Sequence, residues 1–596
     1  MDGSQAVDAV VIGGGPAGSA AAGFLARQGR AVRLLEAERF PRHHVGESTL
    51  QGLFGMLDEE IGLPPSFLEA GFRVKTGGSF IWGQTRVPWS FHFTDSADPA
   101  AIDKVAFQVD RSVFDTLLLD HSRSLGVLCE EEATVQDVTM EAGRVTGVRY
   151  RNGDGELHSV SAKYVIDASG QRSVLARQLG IRRRYEQVRN LAVYGYWDAE
   201  TLPYPTLGGD IEERDQSNIL VVGGDGYWIW FIPLLGKISV GVVASMSEID
   251  VLKEIGPDAY YHDRLAKSRE ATVLLSGVSQ LADEPVRTIS DWSHISDKLA
   301  GPGYFMVGDA AAFVDPILSS GVHLAVTFGI NCGRAVNTLL THGDRHEWAR
   351  AWFEEAYRAS YEDFRRMADA WYLGSADSES WFEVARDRIQ EGLEGELSRV
   401  DAFTQLAAGT LTSGSFRDRI CSIDFLWSPP RVYFSPVTNR YSYTVEARQR
   451  MSEYLLNFPQ AMIPPVFGDP TPSEQPGEPA GVESSRVGHD SYAALTADVR
   501  LGVFSERGAD TLSVAAYTTR VGELLSEGTY APLHPGVVEA FSALDGRHTP
   551  RMLAERLGVE VDAVSSWLER FSAVGFLTTS EQPLETARPP AEASAP

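Results

Sequence analysis

Cysteine is nearly absent from this chain. Its 596 residues include three, Cys129, Cys332 and Cys421, far apart and in no C-x-x-C pair. No disulfide framework and no metal site follows, and a reducing, cytoplasmic compartment is the natural setting. Positive charge is also scarce: 53 Lys and Arg face 81 Asp and Glu, for a formal net charge of -28. So acidic a chain repels phosphate backbones and anionic lipid, which argues against nucleic-acid and membrane partners. There is no long apolar run, and the opening Met-Asp-Gly-Ser-Gln lacks a basic n-region. Neither a signal peptide nor a membrane span is expected. What remains, 43% hydrophobic and 22% charged, is the composition of a soluble globular protein long enough for two to four domains.

The pattern predicts an α/β fold. A short apolar run at 8–12 leads into glycines, an Ala-rich helix over 16–28 and a second apolar run at 31–35, which together form a β-α-β unit. Runs at 164–166 and 304–307, ending in Asp-Ala-Ser-Gly and Gly-Asp, supply further strands to the same sheet. A Rossmann-like core is thus expected over 1–345, with a mostly antiparallel sheet from about 70–100 and 186–284 inserted into it. Residues 346–462 read as a helical region whose many aromatics are core and not a binding box. Residues 463–491, rich in Pro, Gly, Ser and Glu, read as a linker; 492–580 as a small winged-helix-like domain; 581–596 as a disordered tail.

Gly13-Gly14-Gly15-Pro16-Ala17-Gly18 fits G-x-G-x-x-G. Gly13 permits the tight turn, Gly15 lets backbone N–H groups approach a pyrophosphate, and Gly18 lets helix and sheet pack closely, with Ala17 inside the same turn. Glu36, ending the next strand, can accept ribose hydroxyls. Asp309, after the apolar run at 304–307 and before a helix expected over 310–313, suits a polyol hydroxyl; it could equally cap that helix.

With Asp167-Ala168-Ser169-Gly170, these motifs resemble the FAD-dependent monooxygenases of the p-hydroxybenzoate hydroxylase fold. The resemblance implies bound FAD, with Arg42 and Arg111 placed to contact it, although either could be a structural arginine. Three further segments resemble flavin-dependent halogenases. Trp228-Ile229-Trp230-Phe231-Ile232-Pro233 matches W-x-W-x-I-P, so Trp228, Trp230, Ile232 and Pro233 would wall the flavin from the substrate while also serving as core. Lys75, in Lys-Thr-Gly-Gly-Ser-Phe-Ile-Trp, falls where that family carries its catalytic lysine. Asp315 to His323 reads D-P-x-x-S-S-G-V-H; backbone N–H groups of Ser320 and Gly321 could hold chloride, while His323 is structural.

The resemblance spans about 8–335 strongly, extends partly to 460 and fades beyond. It implies FAD reduced by a separate flavin reductase, with chloride as co-substrate. Hypochlorous acid would pass to Lys75 for electrophilic chlorination of an aromatic in natural-product biosynthesis. Tryptophan halogenases carry a glutamate where this chain has Leu318, so the likeness is to the phenol and pyrrole branch, many of whose substrates ride on a carrier protein. Some relatives in that branch attach FAD covalently through an aspartate in a setting like that of Asp291; the alternative is an ordinary turn aspartate. Two rivals stay open: an FAD-dependent aromatic hydroxylase, and a flavoprotein whose C-terminal domain binds DNA or protein in regulation.

Overall fold

The computed structural model describes residues 7–50, 53–83, 86–92, 106–342 and 348–373, with further segments between 492 and 580. The chain divides into two compact units, Met1–Phe416 with Phe434–Asn439, and Arg417–Tyr433 with Arg440–Pro596.

The first unit is built on the expected β-α-β start. Strand Val7–Ile12, almost wholly buried, pairs in parallel with Val32–Leu35 on one side and Leu157–Asp167 on the other. Leu157–Asp167 pairs in parallel with Tyr304–Met306, so the three separated apolar runs do meet in one sheet. Strands buried on both faces read as continuous apolar runs and not as alternating ones, which is why these were visible in the sequence. Their register sets Ile12 beside Asp167 and Asp167 beside Met306. The turns that follow, at Gly13, Ala168 and Gly308, therefore share one end of the sheet, where open α/β sheets bind ligands.

Helix Pro16–Arg27 starts with proline in its first turn and has no side-chain cap at Gly15, so its first N–H groups are left for a ligand. Helix Ser320–His342 crosses it closely. A Cβ at Gly329 would lie 2.5 Å from the Ala17 carbonyl oxygen, and one at Gly333 would lie 2.6 Å from the Phe24 ring. Helix Trp348–Leu373 packs its aromatics as core: Phe353 meets Phe305 edge-on, and Tyr357 stacks on Phe328 at 4.1 Å.

A second, seven-stranded sheet runs in the order Arg287–Ser290, Asn190–Trp197, Ile238–Ser245, Tyr227–Pro233, Ile219–Gly223, Gly77–Ile81 and Trp89–His92. Every neighbouring pair is antiparallel except Ile219–Gly223 with Gly77–Ile81. The strands of this sheet come from 77–92 and 190–290, so it reaches past residue 284 to recruit Arg287–Ser290. Along Tyr227–Pro233 the pleat divides the side chains. Ile229 and Phe231 join the apolar core with Tyr260 and Leu274, while Trp228, Trp230 and Ile232 point the other way.

One local expectation needs correction. Residues 310–313 are not helical: Gly308–Ala310 is a 3-10 turn, Ala312–Phe313 a short strand, and Pro316–Leu318 another 3-10 turn. Phe313 pairs with His294, which draws the chain into an extended form, and the helix begins only at Ser320.

In the second unit, Tyr492–Leu495 pairs with Leu577–Ser580, and Val499–Arg507, Leu512–Arg520 and Tyr530–Pro532 form an antiparallel sheet. Helix Pro550–Leu557 falls within the segment expected to be winged-helix-like. Most of that segment's remaining helical part, the linker, the tail and residues 374–462 lie outside the described residues. Among the described residues no helix is long and apolar enough to cross a membrane, and no group of three or more His, Cys, Asp or Glu is placed to hold a metal ion.

Candidate active site

The end of the main sheet opens into a cavity of about 410 Å³, within the range of small-molecule sites. Gly13, Gly15, Ala17, Glu36, Arg42, Arg111, Asp309 and Gly321 line it together with Trp228, Trp230 and Ile232. Residues from widely separated motifs thus meet around one space. Gly18, Lys75, Pro233, Asp291 and Ser320 do not line it.

The glycines fit a dinucleotide closely. Gly13 has φ +102°, and a Cβ there would lie 2.4 Å from the Ala168 carbonyl oxygen. A Cβ at Gly18 would lie 1.9 Å from the Gly13 carbonyl oxygen, so this residue packs the turn and does not touch the cavity. Glu36 is buried and accepts the Gly14 N–H at 2.6 Å and the Glu38 N–H at 2.8 Å. Each carboxylate oxygen keeps a lone pair for a ribose hydroxyl.

Arg42 stands beside Gly15 with its guanidinium over the Phe40 ring, where it can reach a pyrophosphate. Arg111 is committed elsewhere. Its Nε and Nη2 bind Asp115 at 2.7 and 2.9 Å, and Nη1 donates to the carbonyls of Val45 and Gly46. Asp115 also pairs with Arg42 at 3.2 Å. Its position four residues after Arg111 on helix Arg111–Ser124 was a readable signal that the sequence reading passed over. Burial raises the Asp309 carboxyl to about 6, against the Gln171 hydrogen bond and the charges of Arg111 and Arg182.

Asp291 follows strand Arg287–Ser290 with φ +57°, and its carboxylate pairs with Arg189 at 2.9 Å and Arg184 at 3.2 Å. Its neighbour Trp292 lines the cavity; Asp291 does not.

Lys75 is almost fully buried at the end of Arg73–Lys75, which pairs with Ala106–Gln108. Its Nζ donates to Ser48 Oγ and to the Thr49 carbonyl, both at 2.9 Å. Burial pushes the ammonium down to about 7. Ser48 and Glu47 line the cavity, so the lysine sits on the far side of a strip that faces the dinucleotide motif. The segment after Lys75 is anchored separately. Asn218 Oδ1 accepts the Thr76 N–H at 2.9 Å, and Asn218 Nδ2 donates to Asp215, which pairs with His92 at 2.6 Å.

Glu47 escaped the sequence reading. It is buried, accepts the Tyr196 hydroxyl at 2.6 Å, and is raised by burial to about 7 in spite of that bond. Its only signal was an acidic residue in the Gly46-Glu47-Ser48-Thr49 stretch. Ser320, also buried, opens its helix directly after the left-handed Ser319, φ +57°. The N–H groups of Ser320 and Gly321 are therefore first-turn donors without helical partners, a local geometry suited to an anion. His323, held below its usual range by burial, at about 4, stays neutral.

Comparison with known proteins agrees with this geometry. The sequence profile of the family described as tryptophan halogenase matches residues 8–103 and 94–415. Tryptophan 2-halogenase of Chondromyces crocatus is 31% identical over 418 residues, covering 68% of this chain and 76% of the relative. Flavin-dependent halogenase otaD of Aspergillus carbonarius is 30% identical, covering 60% and 74%. Among solved structures, the myxobacterial chondrochloren halogenase CndH shares 32% identity with a TM-score of 0.58, covering 68% of this chain and 97% of that one. The flavin-dependent halogenase CmlS shares 27% identity at the same TM-score, covering 96% of both chains. The chain belongs to the tryptophan halogenase family and is a flavin-dependent halogenase.

Proposed function

We propose that this enzyme chlorinates an electron-rich aromatic of the phenol or pyrrole type, free or tethered to a carrier protein, through Lys75. The observation that carries the reading is a buried amine, poised near neutral pKa, behind the Glu47–Ser48 strip of a cavity lined by a dinucleotide motif and by Trp228 and Trp230. As a flavin-dependent halogenase the enzyme uses FAD, takes chloride as halide and depends on a separate flavin reductase. When bound, reduced FAD supplies with oxygen the oxidising equivalents that turn chloride into hypochlorous acid.

The chain's own groups divide the remaining work. Gly13, Gly15, Ala17 and Glu36 bind the dinucleotide, Arg42 reaches its phosphates, and Arg111 orders the strip at 45–46 beside it. Ser320 and Gly321 offer backbone N–H groups to chloride. Trp228, Trp230 and Ile232 present a bulky face that bars an organic substrate from the flavin, so the halide is the group that meets the oxidant. With its pKa near 7, a large share of Lys75 is neutral at working pH. Its lone pair then either accepts a hydrogen bond from hypochlorous acid or takes the chlorine as a chloramine with loss of water. In both cases a ring carbon gains chlorine and then loses its proton. Glu47, near 7, can hold or release a proton at the same pH. Leu318 puts an apolar side chain where tryptophan halogenases carry an acid, which suits a substrate that is already activated. The same branch likeness keeps Asp291 as a candidate for covalent attachment of FAD, though its carboxylate is held by Arg189 and Arg184.

The test is turnover with a flavin reductase, FAD, chloride and a panel of free and carrier-bound phenols and pyrroles, with products read by chlorine isotope pattern. Lys75→Ala should lose chlorinated product while still binding FAD and consuming reduced flavin. A hydroxylated product made equally well without chloride would refute the reading.

A further inference from the structure

The tryptophan face of the cavity, the turn proposed for chloride and the segment after Lys75 come from three separate elements. The C-terminal end of helix Trp348–Leu373 touches all three. Trp371 packs its ring 5.0 Å from both Phe80 and Trp82, which follow Lys75 in the chain. Tyr372 accepts a hydrogen bond from Trp228 Nε1 at 2.9 Å and donates one to Asp315 Oδ1 at 2.9 Å. Asp315 is buried. Its Oδ1 also accepts the Ile317 N–H at 3.0 Å, capping the turn Pro316–Leu318, and its Oδ2 accepts from Asn190 Nδ2 at 3.2 Å. That turn ends in left-handed Ser319, which sets the direction of the Ser320 and Gly321 N–H groups.

We propose that Tyr372 is a positioning residue whose hydroxyl fixes the tryptophan face against the halide turn, so that oxidising equivalents meet chloride before they are lost as peroxide. The inference rests on the reading that Ser320 and Gly321 hold the halide. A hydroxyl is suited to the task because it can donate to a carboxylate and accept from an indole at once. Burial and the neighbouring Asp315 raise the Tyr372 phenol well above its ordinary range, so it remains protonated and the donor direction is fixed. Without the hydroxyl, a buried carboxylate oxygen and a buried indole N–H each lose a partner, and the turn loses its link to the wall.

Tyr372→Phe keeps the ring and removes both bonds. The FAD-loaded protein is titrated with chloride while flavin absorbance is followed, and peroxide released per reduced flavin consumed is counted. Chloride affinity should fall on the order of tenfold, the loss of about one buried charge-assisted hydrogen bond. FAD affinity should stay within about twofold, and peroxide release should rise. A double-mutant cycle of Tyr372→Phe with Asp315→Asn should show a coupling close to the whole Tyr372→Phe loss, beyond what Asp315→Asn costs through Ile317 and Asn190, because the two share one link. Unchanged chloride affinity and peroxide yield in Tyr372→Phe, additive losses in the double variant, or equal losses of FAD and chloride binding would each overturn the proposal. A wild-type protein in which chloride produces no saturable change would refute the halide site itself, a different result from a wild-type response that Tyr372→Phe preserves.

Discussion

Replacing Lys75 by methionine should make the protein inactive and, at neutral pH, more stable. Methionine is close in length and unbranched, and it carries no charge to desolvate. The wild-type ammonium is held near a pKa of about 7, against the ordinary 10.5. Burying this lysine, which is half deprotonated in the fold at pH 7 and neutral by pH 9, costs on the order of 4 kcal/mol at pH 7, about 2 kcal/mol at pH 9 and almost nothing above pH 11. The direction follows from proton counts: between pH 7 and 10.5 the unfolded chain holds more protons at this lysine, so wild-type stability rises with pH through that window. Against the gain stand Ser48 Oγ and the Thr49 carbonyl, which lose their donor, at about 1–3 kcal/mol in all. Lys75→Met should therefore be stabilised by about 1–3 kcal/mol at pH 7, with the advantage gone or reversed at pH 9. Urea unfolding followed by tryptophan fluorescence at both pH values, beside a chlorination assay, measures this. A variant destabilised equally at pH 7 and pH 9, or one that keeps chlorinating, would show that the buried charge is neither costly nor used.

Glu47→Gln should show the opposite pH signature. The raised Glu47 carboxyl, at about 7, binds its proton more tightly in the fold than unfolded, so wild type alone loses up to about 3 kcal/mol between pH 5 and pH 8, and the variant's urea midpoint should gain on wild type across that interval. Arg111→Met leaves Asp115 with one fewer partner in a fully buried position; thermal unfolding should report a loss of about 3–5 kcal/mol, and Arg111→Lys should recover little of it because a lysine cannot form the two-pronged bond. Glu36→Ala removes the acceptor for the Gly14 and Glu38 N–H groups, and equilibrium dialysis should show FAD binding weakened by roughly ten- to a hundredfold.

What the sequence revealed was what depends on local geometry. The glycine turn was legible because its demands are partly local: Gly13 holds a positive φ of +102°, and a Cβ at Gly18 would strike the Gly13 carbonyl five residues back, whereas the close approach of Ala168 to Gly13 is long-range. The set Trp228, Trp230 and Ile232 was legible through its likeness to the halogenase W-x-W-x-I-P segment; the strand's period of two then accounts for those three sharing the cavity face, while Pro233, the fourth residue of that reading, does not line the cavity. What the sequence concealed was everything that depends on long-range pairing. Asp315 and Tyr372 are 57 residues apart, and Trp228 and Tyr372 are 144 apart. The same holds for His92, Asp215 and Asn218, which anchor the segment after Lys75 from two distant stretches. The misplaced helix at 310–313 has a narrower cause. Gly-Asp-Ala-Ala is a sound helix start by propensity, but pairing with His294 and the proline at 316 delay the helix to Ser320.

Arg111 shows how the two kinds of information combine. Its motif suggested contact with a cofactor, and it does border the cavity. Yet all three of its guanidinium nitrogens are engaged, two by Asp115 and one by the Val45 and Gly46 carbonyls. Its main effect is thus on the strip that follows. That strip is stitched to Ala106–Gln108 and its neighbour: Val109 donates to the Glu47 carbonyl at 2.7 Å and Thr49 to the Phe107 carbonyl at 3.0 Å, while Ser48 bridges Gln108. Glu47 and Ser48 of the strip line the cavity, and Ser48 Oγ, with the Thr49 carbonyl, also accepts from Lys75. Under the proposed mechanism, an oxidant made beside the dinucleotide motif and used at Lys75 would pass this strip. Its rigidity then matters in two ways at once: a loose strip would let the oxidant escape, and it would release the lysine from the dry site that brings its pKa near neutrality. The buried Asp115 charge, costly to any fold, is best understood as the anchor that keeps Arg111, and through it the strip, in place.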